Sequence, residues 1–221
     1  MRNIFENEYK QLLMRVLLKG ELADNRTKEK TFTLFNQNFN IDLKYGFPIV
    51  TGKKVFFAKN GKLGKIYGYQ IRKFNGEFDQ VKYAINEIKQ NSRRAIISLW
   101  NPTDLKEQAL PCCYTQLTFV RIKDKLNMLI NFRSSDLFLG LPYDVIFASL
   151  FLYTIAKECN LQPSNIGINI ANAHIYENHK KQVLQYYRKP IYVLPTLKGN
   201  YDNYKIENYK SGELIKAKLV L

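Results

Sequence analysis

The apolar residues of the first twenty positions recur with a helical period. Phe5, Tyr9, Leu12, Leu13, Val16 and Leu17 fall on one face of MRNIFENEYKQLLMRVLLKG, which predicts an amphipathic helix. The period then changes to two. TFTLFNQNFNIDL alternates like a half-buried strand, and Phe47-Pro48-Ile49-Val50 closes a second, short one. The stretch GKKVFFAKNGKLGKIYG holds four glycines and reads as a loop or short hairpin. Helical spacing returns from Asp79 to Gln90, with Val81, Ala84, Ile85 and Ile88 inward, and AIISLW reads as a buried strand. QLTFVRI and LNMLINF flank Lys123, Asp124 and Lys125 and predict an antiparallel hairpin. Pro142 opens a long helix running to about Cys159. That helix is apolar nearly all round, which predicts a central, buried position. IGINIANAHIY is a further strand, HKKQVLQYY a short helix, and the C-terminal third returns to strands. No repeat, linker or composition break divides the chain. Residues 1–221 are therefore expected to form one α+β domain, a mostly antiparallel sheet backed by helices.

Composition narrows the classes. With 46% hydrophobic residues the 221-residue chain is not a disordered one. The net charge of +15 points to an anionic partner. Scattered lysines such as Lys30, Lys62 and Lys89 are also what an AT-rich coding sequence places on solvated faces, so the fewer arginines are the more informative cations. No apolar run reaches the roughly 18 residues of a membrane span, and the N-terminus is too polar for a signal peptide. Three cysteines without pairing spacing predict reduced thiols and a cytoplasmic protein. No Cys-x-x-Cys occurs, and His174 and His179 are poorly spaced as a ligand pair, so no metal is expected. Cys112 and Cys113 precede a strand. Adjacent side chains on extended backbone point to opposite faces, so at most one of the two can face a cleft. Taken alone, either is a small buried hydrophobe more often than a nucleophile.

The neighbouring motifs change that reading. Phe132-Arg133-Ser134-Ser135-Asp136-Leu137-Phe138-Leu139-Gly140-Leu141-Pro142-Tyr143-Asp144 resembles the thymidylate synthase signature QRSxDxxLGxPFN. Cys113 precedes Arg133 by the spacing of that family's catalytic cysteine. Asn172-Ala173-His174-Ile175-Tyr176-Glu177-Asn178-His179 resembles GDxHxYxNH, and Asn91-Ser92-Arg93-Arg94 resembles DSRR. Asn25-Arg26-Thr27 is similar to the start of NDRTGTG, Gly46-Phe47-Pro48-Ile49-Val50-Thr51 to GFPLVTTK, and Ile215-Lys216-Ala217 to part of the C-terminal segment. The matches keep one order over nearly the whole chain. The resemblance implies the thymidylate synthase fold and one-carbon transfer to C5 of a pyrimidine nucleoside monophosphate, with 5,10-methylenetetrahydrofolate as co-substrate. It implies Cys113 as the nucleophile that adds to C6, a role that requires a thiolate. Arg133 is the natural group to lower its pKa. Arg26, Arg133 and Ser134 would hold the 5′-phosphate, for which guanidinium forks are well shaped. Arg93 and Arg94 would reach the site of a partner in a homodimer. His174 and Tyr176 would bind the 3′-hydroxyl. Asp136, with Gly140 and Leu110, would meet the folate.

Three departures qualify the match. The base-reading asparagine of the family is Asp144 here, the hallmark of phage-type deoxycytidylate hydroxymethylases. A protonated carboxyl accepts from the cytosine amino group and donates to N3, whereas an asparagine amide matches uracil. The histidine that usually follows the catalytic cysteine is Tyr114. A long stretch of the family pattern is missing between Thr51 and Leu63, including a glutamate that organises proton transfer, and only Tyr67 of that catalytic region follows. No acidic residue lies between Asp42 and Glu77, so Glu77 or Asp79 could replace it only through an unusual path. The leading expectation is a cytidylate or deoxycytidylate 5-hydroxymethylase, in which water and not hydride attacks the exocyclic methylene. The alternatives are a thymidylate synthase acting on deoxyuridylate and a nucleotide-binding pseudoenzyme of the same fold. Binding of RNA rests on charge alone and is not expected.

Overall fold

The computed structural model describes residues 3–55 and 64–220. The first helix, α1 (Ile4–Lys19), opens on Asn3, whose side chain accepts the Glu6 N–H at 2.9 Å. That is an N-cap, which satisfies a donor the helix itself cannot pair. Phe5, Tyr9, Leu12, Leu13 and Val16 are buried as the pattern predicts, and Leu17 is half-buried.

The described strands are β1 (Glu21–Ala23), β2 (Thr31–Asp42), β3 (Ile96–Ser98), β4 (Tyr114–Ile122), β5 (Lys125–Phe132), β6 (Ser135–Asp136), β7 (Gln162–Tyr176), β8 (Thr196–Lys198) and β9 (Lys205–Glu207). The main sheet runs β1-β2-β7-β5-β4-β3, with β6 beside β7. β5 and β6 lie parallel to β7 and every other described pair is antiparallel, so the sheet is mostly antiparallel, as expected. The hairpin at Lys123-Asp124-Lys125 forms, with Lys123 at φ 57° in its turn. β8 and β9 make a separate two-stranded ribbon, and they are the only strands described in the C-terminal third beyond β7.

The helices are α1, α2 (Gly68–Arg72), α3 (Gln80–Lys89), α4 (Leu141–Glu158) and α5 (Lys180–Arg188). α1, α3 and α4 pack on the main sheet. Inward positions of the long strands, among them Leu117, Phe119, Met128, Ile130, Ile166 and Ile168, join the helices in one core. Alternate positions of the same strands are polar. Gln116, Asn131 and Asn169 form an amide ladder at 3.0 and 3.1 Å, and Asn127 bonds Asn165 at 3.1 Å. This arrangement lets polar side chains pair on a crowded sheet face.

Two expectations are corrected. Phe47-Pro48-Ile49-Val50 is not a strand. It enters the core as irregular backbone, with the Phe47 N–H on the Pro195 carbonyl at 2.8 Å and Ile49 turned back on Phe47. Burial of Phe47 and Ile49 against Ile146 of α4 explains the apolar run. α4 is also not wholly buried. Tyr143 and Phe147 remain 39% and 36% exposed, and Phe147 stacks beside Tyr114 at the site. The hairpin or loop expected over residues 52–68 falls partly outside the described residues.

Glu6, on the inner face of α1, is fully buried. Its carboxylate accepts from Asn3 Nδ2 (3.0 Å), Thr51 N (2.8 Å), Gly52 N (2.7 Å), Tyr186 Oη (2.5 Å) and Thr51 Oγ1. It thereby ties α1 to the 51–52 loop and to α5. The far side of the 52–68 region is pinned separately. Gly64 bridges Gln108, and Gln70 of α2 donates to buried Asp104 at 2.9 Å, which also accepts from Asn101 at 3.0 Å. Removing the Glu6 carboxylate leaves several buried donors without an acceptor. Glu6→Ala is expected to cost about 3–5 kcal/mol. That lowers the melting temperature by roughly 10 °C for a chain of this size, and thermal unfolding followed by circular dichroism measures it. A change of only a degree or two would show that the donors find other partners.

Candidate active site

The β4 entrance, the β5–β6 turn and the end of β7 meet at one place. Cys112 is 1% exposed and Cys113 is half-buried at the bend before β4, so only the second thiol borders open space. Tyr67, immediately before α2, reaches both: its N–H donates to Cys112 Sγ at 3.4 Å and its hydroxyl accepts the Cys113 N–H at 3.1 Å. The Tyr67 ring stacks on Tyr114 at 4.6 Å, and Tyr114 continues onto Phe147 at 5.8 Å. A row of aromatic rings therefore walls the cleft beside the sulfur.

Arg133 follows β5. Its Nε donates to the Cys112 carbonyl at 2.9 Å and its Nη2 to the Pro111 carbonyl at 2.8 Å. The guanidinium lies over the Trp100 ring at 5.4 Å. Ser134 Oγ lies 3.2 Å from His174 Nδ1 and donates to Asn172 Oδ1 at 3.3 Å. His174 meets Tyr176 edge-on at 5.4 Å. Burial and Asp136 raise the Tyr176 pKa, with Thr27 and Arg26 acting in the lowering direction, so the 25–27 turn borders the same cluster. Arg133, Ser134, His174 and Tyr176 thus lie together, with Arg26 close enough for its charge to act on Tyr176. Asn172, two residues from His174 and on the same face of β7, joins them, its Oδ1 3.0 Å from His174 Nδ1.

Asp136 caps the turn that follows it, its Oδ1 accepting the Phe138 and Leu139 N–H groups at 2.9 and 3.3 Å. Gly140 closes that turn by donating to the Asp136 carbonyl at 3.0 Å. Leu110 is exposed next to Pro111. Lys53, which the scattered lysines of the sequence gave no reason to single out, is buried behind the turn. Its Nζ donates to the Phe138 carbonyl at 2.6 Å and sits 3.8 Å from that ring. Burial lowers its pKa to about 8, against the pull of Asp136 and Glu6.

The electrostatics differ from expectation at the sulfur. The Cys113 pKa is raised, first by burial and then by Asp144. The Tyr67 hydrogen bond and Arg133 act in the lowering direction and are outweighed. Two donors of Arg133 are also committed to the carbonyls of residues 111 and 112. Asp144, in the first turn of α4, has its carboxyl pushed up to about 8 by burial, with Asp136 adding to the shift. Burial lowers the His174 pKa, against the pull of Asp136. Tyr114 is held far above its ordinary range by burial and by Asp144. A protonated acid, a thiol and two phenols therefore share one desolvated cleft near neutral pH.

Two groups of residues stay apart from it. Arg93 and Arg94 are exposed before β3. The pairing of Ile96 with Thr118 puts them near the far end of β4. At about 3.3 Å per residue that is roughly 20 Å from Cys113, beyond the reach of an arginine side chain. Asp79 caps α3 and pairs with Arg72 at 3.1 Å, and Glu77 is exposed, so neither is placed as a substitute for the missing glutamate. Among the described residues there is no group of three or more His, Cys, Asp or Glu that could hold a metal ion. No described helix is long and apolar enough to cross a membrane.

The thymidylate synthase family model matches residues 7–59 and 56–221. A bifunctional dihydrofolate reductase-thymidylate synthase of Paramecium tetraurelia is 29% identical, across 98% of this chain and 61% of its own length. Thymidylate synthases of Francisella tularensis subsp. holarctica, in strains FTNF002-00 / FTA and OSU18, are 30% identical across 96% of this chain and 98% of theirs. Their alignments run over 270 positions against 221 residues here, so at least 49 positions (270 less 221) face a gap. The family match breaks at residues 56–59, where the sequence places the missing segment. A match that passes through both parts of the chain, at 30% identity to relatives covered almost end to end, shows that this chain belongs to the thymidylate synthase family.

Proposed function

We propose that the chain transfers a one-carbon unit to C5 of a cytidine monophosphate nucleotide and releases the 5-hydroxymethyl product. The observation that carries this reading is Asp144, a carboxyl held up at about 8 beside Cys113, where the family signature usually has asparagine. Arg133, Arg26 and Ser134 bind the 5′-phosphate, and His174 and Tyr176 bind the sugar 3′-hydroxyl. Cys113 reacts as the thiolate. As its sulfur bonds to C6, the C5–C6 double-bond electrons shift through C4 to N3, which takes the proton of Asp144. C5 is left electron-rich. Methylenetetrahydrofolate supplies the carbon, and Asp136, with Gly140 and Leu110, borders its place. Tyr67 and Tyr114 line the path of the leaving protons and keep bulk water from the sulfur.

A homodimer belongs to the same proposal. Arg93 and Arg94 lie too far from Cys113 of their own chain to assist it. The sheet face that carries the amide ladder also exposes Val120 and Ile122, 47% and 57% accessible, a surface suited to a second copy. A cytoplasmic location is proposed from the three unpaired cysteines.

One specific observation favours a second reading, the methylation of deoxyuridylate: the relatives are named thymidylate synthase. Incubation with each nucleotide and labelled methylenetetrahydrofolate separates the two. The hydroxymethylase is expected to turn over cytidylates and leave tetrahydrofolate. Turnover of deoxyuridylate alone, with dihydrofolate formed, would overturn the cytosine reading. Nucleotide binding without any turnover would mark a catalytically inactive relative.

A further inference from the structure

The chain has a single tryptophan, and it lies under the arginine at the centre of the anion cluster. We propose that Trp100 is the positioning residue for Arg133, and that its indole reports directly on phosphate occupancy of the site. The inference rests on the reading of Arg133 as a phosphate ligand.

Trp100 follows β3 in a rigid setting. Its N–H donates to the Thr115 carbonyl at 3.3 Å, beside the register shift at the start of β4. The next residue, Asn101, is buried and bonds Asp104 at 3.0 Å and Asn75 at 3.0 Å. The chain that carries the indole is therefore anchored at Trp100 itself and at the next residue. It meets Arg133 from a different strand connection, with the guanidinium 5.4 Å above the ring. The edge of that guanidinium is fixed by the Cys112 and Pro111 carbonyls at 2.9 and 2.8 Å. A planar fork needs one face and one edge fixed to hold its orientation. Here the indole supplies the face and the two carbonyls supply the edge, which leaves the remaining donors presented together to an anion.

Two consequences follow. Without the ring, Arg133 keeps its charge but loses its fixed plane, so anion affinity falls while the fold stays. And an anion that binds to the guanidinium alters the field at the face of the only indole, so emission from Trp100 changes on binding.

The test uses the full-length protein with two probes, inorganic phosphate and deoxycytidine monophosphate, in calorimetry and tryptophan fluorescence. A saturable change in emission is expected, with the midpoint found by calorimetry. Trp100→Leu is expected to weaken nucleotide binding about tenfold, and Trp100→Phe to stay within about threefold of the unaltered protein. Should Trp100→Leu unfold, the emission of the unaltered protein and the affinity of Trp100→Phe still decide. Nucleotide that binds by calorimetry without moving the emission, together with undiminished affinity in the folded tryptophan variants, would overturn the role of Trp100 and leave the site standing. Absence of any nucleotide binding to the unaltered protein would overturn the phosphate site itself, and the inference with it.

Discussion

Cys113→Ser is expected to abolish turnover, with a loss of about 10⁴-fold or more, while nucleotide affinity stays close to that of the unaltered protein. A serine hydroxyl is a far weaker nucleophile than a thiolate, and its carboxyl neighbour Asp144 is protonated near neutral pH, so a loss of this order is expected. In the proposed site the phosphate and sugar contacts come from Arg133, Arg26, Ser134, His174 and Tyr176, none of which depends on the sulfur. Steady-state assay and calorimetry on the same preparation give both numbers. Retained turnover in the serine variant would remove the covalent step from the mechanism. The same variant tests the dimer. If Arg93 and Arg94 complete the partner's site, the Arg93→Ala/Arg94→Ala double variant is also impaired. Random exchange of the two inactive proteins then builds one intact site in half of the dimers, about a quarter of full activity. A mixture as inactive as its components would dissociate these arginines from catalysis.

Asp144→Asn is expected to exchange the preferred base. The amide keeps the size of the side chain but cannot give a proton to N3, so cytidylate turnover should fall by about 10³-fold and deoxyuridylate should become the better substrate. Discrimination of this size is usual where a buried polar group loses its match. The pH dependence separates this cause from simple damage. The working form of Asp144 is the protonated acid, and its pKa lies near 8. Cytidylate binding should therefore be intact below that pH and weaken as pH rises through it. The thiolate of Cys113 gains population in the same direction, so the rate profile should be bell-shaped. In Asp144→Asn the alkaline limb should vanish from nucleotide binding. If binding by the unaltered protein is flat across that range, Asp144 does not act as an acid towards the base.

Much of the architecture was readable from periodicity. α1, α3, α4 and the β4–β5 hairpin arise from local spacing, and local spacing is visible in a single sequence. The buried polar groups were not readable. Glu6 and Lys53 are charged residues of a kind that normally faces water, and only contacts made far away in sequence explain their burial. Phe47-Pro48-Ile49-Val50 misled for the converse reason: an apolar run satisfies a core whether or not it pairs with a strand. The candidate site was legible through its ordered motifs, which located Cys113, Arg133 and His174. The sign of the Cys113 shift was not, because it follows from burial and from the approach of Asp144, which local spacing does not record. Trp100 could not be linked to Arg133 from sequence, since nothing in either neighbourhood records a contact between them.

The two separate moorings of the 52–68 region have an evolutionary meaning. Glu6 secures the chain on one side, and the Gln108 bridge with the Asp104 cluster secures it on the other. The bonds named in both moorings are made by residues outside 56–63. The entropy of closing a loop grows only slowly with its length, so an excision or an insertion there leaves both banks in place. The position behaves as a cassette. A lineage can shed a segment at this seam without dismantling the scaffold, and a protein engineer can splice the segment of a longer relative back into it.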